Sequence, residues 1–219
     1  EKLVALHPEA VVLLNEQYRM HQQIMQFSSQ EFYNNQLSAH TSVSNHLLFD
    51  EDAPLLFIDT AGCGFEEKID GTGISNPEEA AFLLKHLEKL LSLSQFINTF
   101  PTVAVIAPYK HQVELLKELF PTYATLEQHK AFISVNTIDS FQGQERDVVY
   151  ISLTRSNSES IIGFLSEVRR MNVAMTRARK KLVVIGDSAT IAQFPFYSDF
   201  IEYAQEVNGY KSAWEYFDA

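Results

Sequence analysis

Three segments of this chain, 103–107 (VAVIA), 148–153 (VVYISL) and 182–185 (LVVI), are nearly unbroken apolar runs. A strand wetted on one face alternates apolar with polar residues, whereas a strand covered on both faces does not. Each run is also too short to be a core helix and far too short to cross a bilayer. The segments between them carry helical periodicity. Residues 110–119 place Val113, Leu116 and the following Phe120 on one side, and 22–32 repeat Ile24, Met25, Phe27, Ser28 and Phe32. Asn76 caps a further helix, with Pro77 at its first position, Glu78 and Glu79 at its positive end, and Ala80, Leu83, Leu84, Leu87, Leu90 and Leu91 as its apolar stripe. Further strands are expected over 11–14, 55–58 and 132–138, a helix over 167–178, and a mainly helical tail over 190–203. Alternation of this kind specifies an α/β fold with a mostly parallel sheet flanked by helices. Gly62, Gly64, Gly71 and Gly73 break the pattern, so 38–75 is expected as a loop-rich insertion within one domain spanning 1–219.

Composition narrows the function classes. The 219 residues carry 17 Lys and Arg against 28 Asp and Glu, a formal charge of −11, which disfavours broad adhesion to nucleic acid. The positive charge is concentrated: Arg169, Arg170, Arg177, Arg179, Lys180 and Lys181 occupy 169–181 without an acidic residue among them. That region is either an anion site or a solvated helix end. A single cysteine, Cys63, allows neither an internal disulfide nor a multi-cysteine zinc site, and is read as structural. With no signal-like start or spanning run, an intracellular, cytoplasmic protein is expected, with no membrane partner and no implied obligate homo-oligomer. Beginning at Glu1, the chain is expected to share its activity with sequence beyond it.

Three polar segments between these elements have residue types suited to a nucleotide. In 136–147 (NTIDSFQGQERD), Gly143 permits a tight backbone approach, Thr137 and Ser140 offer hydroxyls, and Gln142 and Glu145 address ligand donors. A carboxylate repels phosphate, so Glu145 suits ribose hydroxyls or a water; Phe141 is expected to anchor the loop in the core. In 169–179 (RRMNVAMTRAR), Arg170 and Arg177 fall on nearly one helical face beside an apolar stripe of Met171, Ala174, Met175 and Ala178. Arg177 can offer a planar fork to phosphate or close a salt bridge within the domain. In 14–21 (LNEQYRMH), Tyr18 and Arg19 can meet the two ends of a nucleotide, or else Tyr18 packs at the sheet edge and Arg19 pairs with Glu16. His21 lacks spaced metal-ligating partners and is expected to have a structural or helix-capping role; no metal site is expected in this chain.

Taken in order, these segments resemble the signatures of superfamily 1 helicases, in the branch of RNA surveillance helicases and related DNA helicases. Residues 17–21 (QYRMH) look like the motif opening the second motor domain, 137–145 (TIDSFQGQE) like the fifth motif and 172–179 (NVAMTRAR) like the sixth. Residues 105–112 (VIAPYKHQ) are similar to the family's strand-to-helix segment facing single-stranded nucleic acid. The match covers 11–187 and departs from the family at Gln22, where proline is frequent, and at Ala107, where a hydroxyl residue is frequent. The resemblance implies a RecA-like P-loop NTPase fold without its own Walker motifs, the second motor domain of an ATP-dependent helicase or translocase. It also implies ATP and Mg²⁺ as cofactors, with the phosphate cradle and metal ligands on an N-terminal RecA-like domain, and single-stranded DNA or RNA as partner. Arg19 and Arg177 are then the catalytic pair, Gln17, Tyr18, Gly143 and Glu145 bind the nucleotide, and Pro108, Tyr109, His111 and Thr137 contact the strand. An ATP-sensitive nucleic-acid binding or remodelling module without unwinding is the alternative; no Gly-x-Gly-x-x-Gly segment supports a Rossmann enzyme.

Overall fold

The computed structural model describes residues 14–93, 96, 99–141 and 143–217. The strand expected over 11–14 lies, apart from Leu14, outside them. Among the described residues the chain runs β1 (Glu16–Gln17), α1 (Gln22–Tyr33), β2 (Ser38–Ala39), β3 (Leu55–Asp59), β4 (Lys68–Asp70), β5 (Gly73–Ser75) and α2 (Pro77–Leu91). It continues through β6 (Val103–Ala107), α3 (Lys110–Leu119), α4 (Ala124–Gln128), β7 (Ile133–Thr137), β8 (Arg146–Ser152) and α5 (Val168–Met175). Last come β9 (Ala178–Gly186), α6 (Ser188–Ile191), α7 (Pro195–Glu206) and β10 (Tyr210–Ser212).

Six strands form one parallel sheet in the order β10-β3-β9-β8-β6-β7. Successive side chains of its strands enter two separate cores, as the pleat requires. Phe57, Ile106, Ile151 and Val184 face α1, α5 and α7, whereas Ile58, Val105, Tyr150 and Val183 face α2 and α3. This explains the continuous apolar runs, because both faces of the central strands are dry. The α/β class is therefore the observed one, a parallel sheet flanked by helices on both sides.

Local chemistry sets the element ends. Asn76 accepts the Glu79 N–H at 3.0 Å at the start of α2, with Pro77 at its first position. His21 caps α1, its Nδ1 accepting from the Gln23 N–H at 3.1 Å. The two longest strands begin earlier than their apolar runs. Arg146 and Asp147 extend β8, Ala178 to Lys181 extend β9, and the two strands pair through an irregularity between Arg146 and Val148. Ladder bonds use backbone groups, so polar residues join where their side chains find partners: Lys180 lies 3.5 Å from Asp147, and buried Lys181 is paired with Asp52. The helix expected over 167–178 accordingly ends at Met175, where the Thr176 hydroxyl bonds back to the Asn172 carbonyl at 2.8 Å.

Candidate nucleotide cleft and nucleic-acid face

The parallel sheet has an amino edge and a carboxyl edge, and the segments read from sequence divide between them. Arg146 of β8 is in register with Ala178 of β9 at the amino edge. Thr137 pairs with Ala107 at the carboxyl edge. Segment 137–145 runs from one edge to the other, held to the sheet by Ile138 and by Phe141, whose ring is buried in the core. Because α5 stops at Met175, Arg170 and Arg177 do not share a helical face. Arg170 pairs with Asp139 toward the carboxyl edge, while Arg177 follows the helix at the amino edge.

At the amino edge, Arg19 donates from Nε to Glu145 Oε2 at 2.6 Å and from a terminal nitrogen to the Thr176 carbonyl at 3.2 Å. Arg179 Nε lies 3.8 Å from Glu145 Oε1. Arg177 donates to two backbone carbonyls, Val173 at 2.9 Å and Gln144 at 3.3 Å. Its pKa is lowered by burial and then by the charge of Arg19. Two mutually repelling guanidiniums are thus fixed beside one carboxylate, which is the electrostatics of a place that gains by receiving an anion. The salt-bridge alternative falls to Arg19, which pairs with Glu145 instead of Glu16.

Gln17 shapes this turn. Its Oε1 accepts the N–H groups of Arg19 at 2.8 Å and Met20 at 2.7 Å, and its Nε2 donates to the Met20 carbonyl at 2.8 Å. Tyr18 does not pack at the sheet edge: it is 62% exposed, and its ring stacks on His40 at 4.3 Å. Gly143 adopts φ +84°, and a Cβ there would meet nothing within 4 Å. Left-handed backbone favours glycine at that turn. No group of three or more His, Cys, Asp or Glu residues among the described ones could hold a metal ion.

At the carboxyl edge, Pro108, Thr137, Ile138, Asp139, Phe164 and Arg170 line a small cleft. The Thr137 and Ser140 hydroxyls are 3.0 Å apart. His111 is exposed at the start of α3 but its ring abuts Gly73 so closely that a Cβ there would lie 1.7 Å from Nδ1. Tyr109 departs from the expectation of a stacking surface. It is 5% exposed, and its hydroxyl donates to the Ile162 carbonyl at 3.2 Å while receiving the Phe164 N–H at 3.1 Å and Arg155 at 3.3 Å. Buried Arg155 also pairs with buried Glu67, Nε to Oε2 at 2.7 Å. Sequence reasoning passed over Arg155, Glu67 and Phe164; the glycine directly before Phe164 was the signal within reach.

Residues 1–189 match the AAA domain family. The chain belongs to that family. This AAA domain is 38% identical to the DNA-binding protein SMUBP-2 of Mesocricetus auratus, across 100% of the chain and 22% of the relative. It is 40% identical to the DNA polymerase alpha-associated DNA helicase A of Saccharomyces cerevisiae, across 85% of the chain and 29% of the relative. It is 36% identical to an uncharacterized ATP-dependent helicase of Methanocaldococcus jannaschii, across 94% of the chain and 31% of the relative. The AAA domain thus spans less than a third of these proteins. It is a RecA-like domain of the superfamily 1 helicase type, related also to the helicase sen1 of Schizosaccharomyces pombe.

Proposed function

We propose that this AAA domain is the second motor domain of an ATP-dependent nucleic-acid helicase or translocase, working across a cleft against a preceding RecA-like domain. The observation that carries the reading is the convergence of Arg19 and Arg179 on the single carboxylate Glu145 at the amino edge, with Arg177 held beside them by the Val173 and Gln144 carbonyls. A bound ATP would bring a polyanion whose terminal phosphoryl group gathers negative charge as it transfers to water. Arg19 and Arg177 are then the residues that stabilise that charge, being permanently cationic and held by carbonyls that fix their orientation. Tyr18 offers the ring face not covered by His40 to adenine. Glu145, by releasing Arg19, is free to turn toward the sugar. These residues fit one side of the nucleotide; the P-loop lysine, the Mg²⁺ ligands and the carboxylate that activates water belong to the preceding domain.

Single-stranded DNA or RNA crosses the carboxyl edge in this reading, with Thr137 and Pro108 in the cleft and Arg170 beside it. Segment 137–145 gives a mechanical reason for coupling. It begins at the strand-facing edge and ends at the arginine cluster, so a shift of one end displaces the other. The isolated domain, lacking the phosphate cradle, is expected to show no ATP turnover.

The test is nucleic-acid-stimulated ATP turnover by full-length protein carrying Arg19→Ala or Arg177→Ala, with nucleotide binding and folding checked. Loss of about 10³-fold or more in turnover is expected for the Arg177 variant. Near-wild-type turnover in either folded variant rejects a catalytic role for that arginine. ATP-modulated strand binding by a full-length protein that neither translocates nor unwinds would favour a remodelling module instead.

A further inference from the structure

Phe164 is 59% exposed, an unusual state for a phenyl ring in a segment so firmly tied down. Its N–H is bonded to the Tyr109 hydroxyl at 3.1 Å, and the carbonyl two residues earlier, at Ile162, accepts from the same hydroxyl at 3.2 Å. The intervening Gly163 has φ +52°, and a Cβ there would fall 2.5 Å from an Arg155 nitrogen and 2.6 Å from the Tyr109 oxygen. The chain turns outward at this point only because glycine lets it lie directly on those two side chains. Arg155 and Tyr109 are themselves buried, and Arg155 is locked to Glu67 through two hydrogen bonds, Nε to Oε2 at 2.7 Å and a terminal nitrogen to Oε1 at 3.0 Å. The Tyr109 ring lies beneath the Phe164 ring with centroids 5.4 Å apart. The ring is therefore presented outward on a backbone fixed by buried polar groups.

The neighbourhood identifies what would cover it. Phe164 lines one cleft with Pro108, Thr137, Asp139 and Arg170. Thr137 brings a hydroxyl, shared with Ser140, and Arg170 a guanidinium that Asp139 orients through Nε and one terminal nitrogen; hydroxyls and guanidiniums position phosphodiester oxygens without reading sequence. An aromatic face beside such donors is the arrangement used for single strands, where a base stacks on the ring and its backbone lies along the polar groups. A protein partner's apolar side chain would use the ring but leave the Thr137 hydroxyl and the outward side of the Asp139-paired Arg170 guanidinium without an acceptor.

We propose that Phe164 is the base-stacking platform of this domain, holding one nucleobase of a single strand whose adjoining phosphate lies toward Thr137 and Arg170. Tyr109 is a positioning residue beneath it, and the stacking surface read from sequence at Tyr109 moves to Phe164. The assignment rests on the proposed passage of single-stranded nucleic acid over the carboxyl edge. Because stacking uses a π face that every base has, the contact is tolerant of sequence. Because the backbone that carries the ring is already tied to the Tyr109 hydroxyl, less conformational freedom remains to be lost there on binding.

The experiment is equilibrium binding of the full-length protein to a fluorescent homopolymer and to an abasic strand of equal length and charge, for wild type, Phe164→Ala, Phe164→Leu and Phe164→Trp. Wild type binding the homopolymer is the condition on which the underlying reading stands; no binding to any strand overturns that reading, independently of Phe164. Given binding, both Ala and Leu are expected to weaken homopolymer affinity by about 5- to 100-fold, Trp to retain it, and all four proteins to bind the abasic strand alike. Unchanged homopolymer affinity in Phe164→Ala overturns the assignment. So does an equal loss on the abasic strand, which would place Phe164 at a protein or backbone contact, or full retention by Leu, which would show that apolar bulk and not a ring is required.

Discussion

Arg19 and Glu145, 126 positions apart in sequence, meet at 2.6 Å across the amino edge of the sheet, with their side chains 36% and 43% exposed. An ion pair so open to solvent contributes less than about 1 kcal/mol. A double-mutant cycle with Arg19→Ala and Glu145→Ala should give a coupling below that value in urea unfolding of the folded domain. ATP turnover by the full-length protein should fall far more for Arg19→Ala than for Glu145→Ala. A coupling of about 2 kcal/mol or more would make the pair structural and leave no Arg19 available to an anion.

Tyr109 acts through its hydroxyl, which has three partners in Ile162, Phe164 and Arg155. Tyr109→Phe keeps the ring and removes all three bonds, so a loss of about 1–3 kcal/mol is expected by chemical denaturation. Weaker strand binding should follow, since the backbone under Phe164 is released. Neutrality of Tyr109→Phe combined with damage in Tyr109→Ala would show that the ring alone matters.

Arg155 and Glu67 are both nearly dry, at 5% and 7% side-chain exposure. Arg155→Ala leaves a buried carboxylate without its counter-charge and should cost about 3–5 kcal/mol. Replacing both, Arg155→Met with Glu67→Met, should cost less than the single change, because no uncompensated charge remains. Equal or greater loss in the double variant would mean that the hydrogen bonds to Tyr109, Ser156 and Asn157 dominate.

Two buried groups make stability depend on pH in opposite directions. Glu79 is raised from 4.5 to about 7, first by burial, although the Ser152 hydroxyl donates to it at 2.5 Å and the Thr154 N–H at 2.9 Å. His86 is lowered from 6.5 to about 4, first by burial and then by Lys181 and Lys89. The folded state holds the Glu79 proton more tightly than the unfolded chain, so this contribution is complete below pH 4.5 and lost as pH rises through about 7. The His86 contribution has the opposite sign, complete above pH 6.5 and lost as pH falls through about 4. Each is on the order of 3 kcal/mol from the size of its shift. Urea unfolding between pH 4 and 7 should show Glu79→Gln gaining stability relative to wild type as pH rises, and His86→Asn gaining it as pH falls. Parallel pH profiles for all three proteins would mean that neither group is held in its neutral form.

The chain's local patterns determined its elements. Val103–Ala107, Lys110–Leu119 and the helix capped by Asn76 are legible because periodicity and capping depend on residues a few positions apart. The same holds for the buried helical stripe of Met171, Ala174 and Met175, for Phe141 as a core anchor and for His21 as a cap, whereas Ala178, expected on that stripe, is buried as the first residue of β9. Tertiary structure decided what those elements meet. The basic run 169–181 reads as one patch, yet Arg170, Arg179, Lys180 and Lys181 find four different carboxylates, at Asp139, Glu145, Asp147 and Asp52. Its cations are divided between two edges because Thr176 ends the helix and the backbone of Ala178 enters the sheet. Tyr109 and Phe164 are both aromatic residues in polar loops, and only the buried contacts of Arg155 and Gly163 turn one ring inward and the other out. Helical and strand propensity is a short-range property of neighbouring residues, whereas the partner of a charge or the facing of a ring is chosen among distant alternatives of similar energy. The packed sheet makes that choice by fixing which distant groups lie within a few ångströms.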